Sequence, residues 1–119
     1  MSYWEEMMRR PLLLVAGVAL FTVVALAQAH IPTRYAGSFP SDGVRKSITG
    51  TFTGKSLTLR FVVQRGSQII QRTGSYSCTT ISPTQTRCPG TYQGGGDSGP
   101  QVVTITWSGG RPVATAFGK

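Results

Sequence analysis

Residues 57–64 read LTLRFVVQ, and this stretch decides the fold. Leu57, Leu59, Phe61 and Val63 alternate with Thr58, Arg60, Val62 and Gln64. A period of two puts one face of a β-strand on a core and the other toward water. Working back, Arg45 to Thr53 carries Ile48, Gly50 and Phe52 on one face, and Gly54-Lys55 makes the turn between the two strands. Working forward, Arg65-Gly66 turns the chain into Gln68 to Thr73. Gly74 interrupts, and Ser75 to Ile81 continues as a bent or a new strand. Ser82 to Gln85 contains Pro83 and reads as a loop tip, and Thr86 to Gln93 returns. Gly94 to Pro100 reads as a loop. Gln101 to Trp107 is a strand with Val103, Ile105 and Trp107 on one face. Ser108-Gly109-Gly110-Arg111 is a tight turn, and Val113 to Phe117 closes the chain. None of these connections is long enough for a parallel crossover, so neighbouring strands pair antiparallel and in order. The sequence therefore predicts an all-β fold, a small antiparallel meander of six to seven short strands forming a barrel or a curled sheet, preceded by one N-terminal apolar helix.

A pentad recurs as Gly50-Thr51-Phe52-Thr53-Gly54, Gly74-Ser75-Tyr76-Ser77-Cys78 and Gly90-Thr91-Tyr92-Gln93-Gly94. The spacings of 24 and 16 residues are unequal, which excludes a repeat architecture. The glycine two residues before an aromatic resembles the strand starts of small calycin-type barrels such as the avidins. The resemblance covers a few residues per strand and includes none of that family's ligand residues. It implies a barrel whose interior could carry a small ligand.

Three segments follow from composition. In residues 1–29, a short polar stretch ends in Arg9-Arg10, and an uncharged apolar run follows from Leu12 to Ala27. Ala27-Gln28-Ala29 then gives a small-x-small pattern before His30. This order predicts a secretory signal peptide cleaved after Ala29. The alternative is a retained membrane anchor, with Leu12, Leu14, Val18, Phe21 and Val24 in the helix and Tyr3 and Trp4 at the interface. Either way the remainder is exported, periplasmic or secreted. Residues 30–43 are rich in Pro, Gly and Ser and read as an extended lead-in, and residues 44–119 form the β domain. An exported chain with two cysteines allows one pairing, Cys78 with Cys88.

Charge carries the functional signal. The chain has a formal net charge of +8, and residues 30–119 hold ten Lys and Arg against Asp42 and Asp97 alone. Arginine grips carboxylate and phosphate with two parallel hydrogen bonds, which lysine does not. Arg45, Arg60, Arg65, Arg72, Arg87 and Arg111 are the candidate contacts for an anionic partner. Such a partner would be a lipid headgroup, a polysaccharide or an acidic protein. Nucleic acid suits an exported protein poorly. Tyr76, Tyr92 and Trp107 are candidates to line a barrel mouth, or else belong to the core.

Catalysis is not expected. Residues 30–119 contain no Glu, and His30 is the only histidine of the chain. Paired carboxylates and metal cages therefore lack parts. Gly96-Asp97-Ser98-Gly99-Pro100 resembles the nucleophile loop of trypsin-like proteases, but a glycine is missing and the chain is too short for that family's two barrels. Gly54-Lys55-Ser56 ends like a phosphate-binding loop, yet it opens a strand where that motif needs a helix. Neither a cofactor nor a metal site is expected. The expected role is that of an exported, non-catalytic binding or structural accessory protein acting through a basic surface. The alternatives are a membrane-anchored accessory subunit of an envelope complex and a small-ligand carrier.

Overall fold

The computed structural model describes residues 30–119. They form eight strands, β1 (Tyr35–Ser38), β2 (Arg45–Phe52), β3 (Ser56–Arg65), β4 (Gln68–Ser77), β5 (Thr79–Ser82), β6 (Gln85–Gly94), β7 (Asp97–Ser108) and β8 (Arg111–Gly118). All belong to one sheet in the order β1-β2-β3-β4-β6-β7-β8, with β5 lying against β6. Every pairing is antiparallel. The fold among the described residues is thus all-β. The sheet curls into a half-barrel, because inner side chains from distant strands meet. Tyr35 on β1 lies 5.8 Å from Trp107 on β7, and Phe61 on β3 lies 5.6 Å from Phe117 on β8.

The alternation over residues 57–64 appears as expected, with Leu57, Leu59 and Phe61 buried and Thr58 and Arg60 exposed. The core gathers Phe39, Ile48, Phe52, Leu57, Leu59, Phe61, Tyr76, Cys88, Val103, Ile105 and Trp107. Trp107 is the largest fully buried side chain, and its indole N–H donates to Thr86 Oγ1 at 3.0 Å. That bond removes the cost of burying a polar atom unpaired.

The recurring pentad has a packing cause. Gly50 pairs with Leu59, Leu59 with Gly74, and Gly74 with Tyr92, so the inner face alternates small and large across the strands. A Cβ at Gly90 would overlap the carbonyl oxygen of Ser75 and the Cα of Tyr76. Strands curl tightly here because these inward positions carry no side chain.

Three boundaries and the strand count differ from the sequence reading. The lead-in over residues 30–43 contains β1, which pairs with β2, and Phe39, which is buried. Its four residues, YAGS, carry no apolar alternation, and the strand is held by pairing with β2 and by Tyr35 packing on Phe39 and Trp107. Gly74 does not break β4, whose register with β3 runs without interruption from Gln68 to Ser77. The loop expected from Gly94 to Pro100 shrinks to the turn at Gly95-Gly96, since Asp97 to Pro100 already pair with β6. Finally, the strands number eight where six or seven were expected. The apolar helix expected over residues 1–29, with Leu12, Leu14, Val18, Phe21 and Val24, lies outside the described residues.

Cys78 and Cys88 form a disulfide. Cys78 sits where β4 hands over to β5, and its amide donates to the Lys55 carbonyl at 2.8 Å. The bond ties this junction to the middle of β6, whose outer half pairs with β5 and inner half with β4.

Candidate functional site

Two arginines point into the curl, Arg45 through a bulge and Arg72 through the ordinary alternation of its strand. In β2, Ile48, Gly50 and Phe52 face inward, so strict alternation would bring Lys46 inward as well. The register instead shifts between Lys46 and Thr49, and Ser47 adopts a left-handed φ of 54°. This bulge inserts one residue and exchanges the two faces. Arg45 consequently pairs with the inward-facing Val63, while Lys46 pairs with Val62 and is exposed. The second arginine, Arg72, shares the inner face of β4 with Gly74 and Tyr76 and is 9% exposed. It faces the last residue of β6, Gly94, where a Cβ would collide with the Arg72 backbone. The missing side chain leaves Arg72 room to reach Asp97 on β7.

Each arginine has one carboxylate partner. Arg45 Nη1 donates to Asp42 Oδ2 at 2.7 Å, and its guanidinium lies 4.5 Å from the Phe117 ring centre. Burial raises the Asp42 carboxyl, but the amides of Arg45 and Val44 and the Arg45 guanidinium outweigh it and hold Asp42 below its ordinary value. Arg72 Nη2 donates to Asp97 Oδ2 at 3.4 Å, and Tyr92 donates its hydroxyl to the same oxygen at 3.3 Å. Both contacts are long against the roughly 2.7–2.9 Å of a strong charge-assisted bond. Arg72 also stacks over Tyr92, 5.0 Å from the ring centre. Deeper in, Tyr76 donates to Gln101 Oε1 at 2.5 Å. Burial pushes the Tyr76 hydroxyl up to about 12, against the opposing pull of Arg45.

Arg45, Arg72, Tyr92 and Gln101, with Lys119, line a cavity of about 390 Å³ at the open end of the half-barrel. The Nε atoms of Arg45 and Arg72 are buried and have no protein partner. At the opposite end, Phe52, Leu57, Ile105 and Trp107 fill the interior.

The outer face is a different environment. The strand pairings place Thr49, Arg60, Thr73, Gln93 and Ser98 in one row across β2, β3, β4, β6 and β7. A groove of about 730 Å³ opens beside this row, lined by Arg60, Gln71, Thr73, Gln93 and Ser98 together with Arg72 and Asp97. Of the arginines singled out by charge, Arg60, Arg65, Arg87 and Arg111 are exposed, whereas Arg45 is half-buried and Arg72 buried. Arg65 ends β3, Arg60 lies mid-strand, and Arg111 opens β8 at the other end of the sheet. The six arginines do not converge on one patch. Of the three aromatics, Trp107 and Tyr76 belong to the core, and Tyr92 alone stands at the mouth of the curl.

Asp97, Gln101 and Lys119 were not singled out by sequence. The glycines around Asp97 predict a loop there. The position of Asp97 opposite Arg72 depends on the register of β6 with β7, which no local pattern announces. Ser98, from the protease-like stretch, pairs with Gln93, and its amide donates to Asp97 Oδ1 at 2.9 Å. The chain matches no protein-family model, and no curated protein or solved structure shows a significant similarity to it.

Proposed function

We propose that the protein is an exported, non-catalytic binding protein that holds an anionic partner through its basic surface. One observation carries the reading. The two carboxylate side chains of residues 30–119, Asp42 and Asp97, are each paired with an arginine of the same chain. The other eight cations, Arg60, Arg65, Arg87 and Arg111 among them, have no carboxylate partner among the described residues. Such unbalanced charge costs self-repulsion, and an anionic surface relieves it. The Cys78–Cys88 disulfide supports an oxidising compartment outside the cytoplasm. The partner is a lipid headgroup surface, an acidic polysaccharide or an acidic protein.

The test is retention on immobilised heparin and on anionic vesicles, for the full chain and for a variant with Arg60, Arg87 and Arg111 replaced by Gln. All three side chains are exposed, so the variant should fold. The variant is expected to elute at markedly lower salt. Equal elution of the two chains would remove the outer surface from the account.

A second reading, a membrane-anchored accessory subunit, is favoured by where the chain enters the sheet. Arg34 precedes β1, Lys55 lies in the turn between β2 and β3, and Arg111 opens β8 just after the turn from β7. Antiparallel order puts all three at the end of the sheet reached from residues 1–29. A retained helix would set these cations against anionic headgroups. Intact mass separates the two readings, since a chain beginning at His30 abolishes the anchor and one beginning at Met1 or Ser2 retains it.

A further inference from the structure

The geometry points to a phosphate-binding site inside the open end of the half-barrel, between Arg45 and Arg72. It goes beyond the surface reading above and stands independently of it, because neither arginine belongs to the outer set.

Three observations meet there. First, Arg45 is brought inward by special backbone, and Arg72, inward by ordinary alternation, is given room by a glycine. The Ser47 bulge turns Arg45 into the curl, and the absence of a side chain at Gly94 makes room for Arg72. Bulges and left-handed non-glycine residues collect at functional sites because the strain they hold must be offset by something else. Ser47 is the one non-glycine residue among those described with a positive φ. Second, each guanidinium offers five N–H donors, yet each gives only one hydrogen bond to a carboxylate. The Nε atoms of both are buried without a protein partner, and the Arg72 side chain is more than nine-tenths buried. A buried donor left unpaired costs about 1–3 kcal/mol, more when charged. A tetrahedral oxyanion supplies several acceptors at once and takes the fork of an arginine on two oxygens. Third, the cavity of about 390 Å³ that both arginines line is large enough for a phosphate with part of whatever carries it. Tyr92 and Gln101 add polar side chains to its wall, and Lys119 adds a further cation.

Asp97 has a defined place in this scheme. Its carboxylate is half exposed, and its contacts to Arg72 and Tyr92, at 3.4 and 3.3 Å, are long. It holds the two groups in place and is displaced when a phosphate engages Arg72. Asp97 is therefore a competitor of the ligand, and removing its charge should strengthen binding. A merely structural ion pair would not behave so.

The experiment is a titration of the full-length, ¹⁵N-labelled, oxidised chain at constant ionic strength. It follows the arginine Nε–H resonances by nuclear magnetic resonance. The probes are inorganic phosphate and, separately, phosphatidylglycerol vesicles against phosphatidylcholine vesicles. The expected result is a saturable shift of the Arg45 and Arg72 signals with Arg60, Arg87 and Arg111 nearly still. Arg72→Lys, which keeps the charge but lacks Nε, should weaken binding at least tenfold, and Asp97→Asn should tighten it at least threefold. A response to inorganic phosphate assigns a soluble phosphate or phosphoester. A response confined to phosphatidylglycerol vesicles assigns a lipid headgroup. The proposal is overturned if neither probe moves Arg45 and Arg72 more than the outer arginines, or if Asp97→Asn binds no tighter. Should Arg72→Lys fail to fold, the Asp97→Asn comparison still decides. Heparin retention with unmoved Arg45 and Arg72 signals would sink the interior site and leave the surface reading standing, and the converse result would do the reverse.

Discussion

At the scale of single residues, two titrations bound the pH range of the fold. Asp42 is held below its ordinary value in the folded chain. The unfolded chain therefore binds its proton first, and the stability Asp42 contributes is present above about pH 4 and lost as pH falls through its depressed value. Tyr76 is shifted the other way, up to about 12. Between about pH 10, where an unfolded tyrosine ionises, and about 12, the unfolded chain releases a proton the folded chain keeps, so stability falls with rising pH. An ultraviolet titration of phenolate absorbance should show Tyr76 ionising late, and Tyr76→Phe should abolish that late step. A Tyr76→Phe chain that keeps the late step would assign it elsewhere. Ser47 gives a second expectation at this scale. Its left-handed backbone disfavours a β-branched side chain, so Ser47→Val should cost about 1–3 kcal/mol in denaturant unfolding, while Ser47→Gly should cost almost nothing. Equal costs would mean that the bulge relaxes on substitution.

At the scale of elements, the strands with clean alternation were legible and the site was not. Leu57 to Gln64 and Gln101 to Trp107 announce themselves because one face is mostly apolar and the other mostly polar. β1 was hidden, since Tyr35 to Ser38 carry no pattern and hold by pairing with Thr49 to Phe52. Arg45 was visible as a cation but not as an inward one. Its direction follows from one inserted residue at Ser47, and nothing in RKSIT distinguishes a bulge from a regular strand. The pairing of Arg72 with Asp97 spans 25 residues and needs the registers of three strands at once. The disulfide, by contrast, was the one pairing open to two cysteines. It closes a loop of about eleven residues, for which chain entropy gives roughly 2.7 kcal/mol. Reduction, or Cys78→Ser with Cys88→Ser, should lower unfolding stability by about 2–3 kcal/mol in equilibrium denaturation. A loss near zero would show that the β5–β6 arm is held without it. Gly90→Ala should be costlier than an ordinary glycine substitution, because the new Cβ meets the backbone of Ser75 and Tyr76. About 1–3 kcal/mol is expected from such overpacking, read in the same unfolding experiment.

At the scale of the whole molecule, the half-barrel separates two kinds of cation. The core at one end is filled by Trp107 and its neighbours. The other end keeps Arg45 and Arg72 inside, and the outer face carries the unmatched positive charge. The absence of Glu from residues 30–119 and the internal use of both aspartates leave no acidic side chain among the described residues to screen that face. The most direct measurement is the affinity of the full chain for phosphatidylglycerol vesicles as a function of salt, with phosphatidylcholine vesicles alongside. Exposed charges attract over a Debye length of about 10 Å at 0.1 M salt and about 3 Å at 1 M. The account predicts affinity that falls steeply with salt and is absent on the neutral vesicles. Equal binding to both lipids, indifferent to salt, would contradict it.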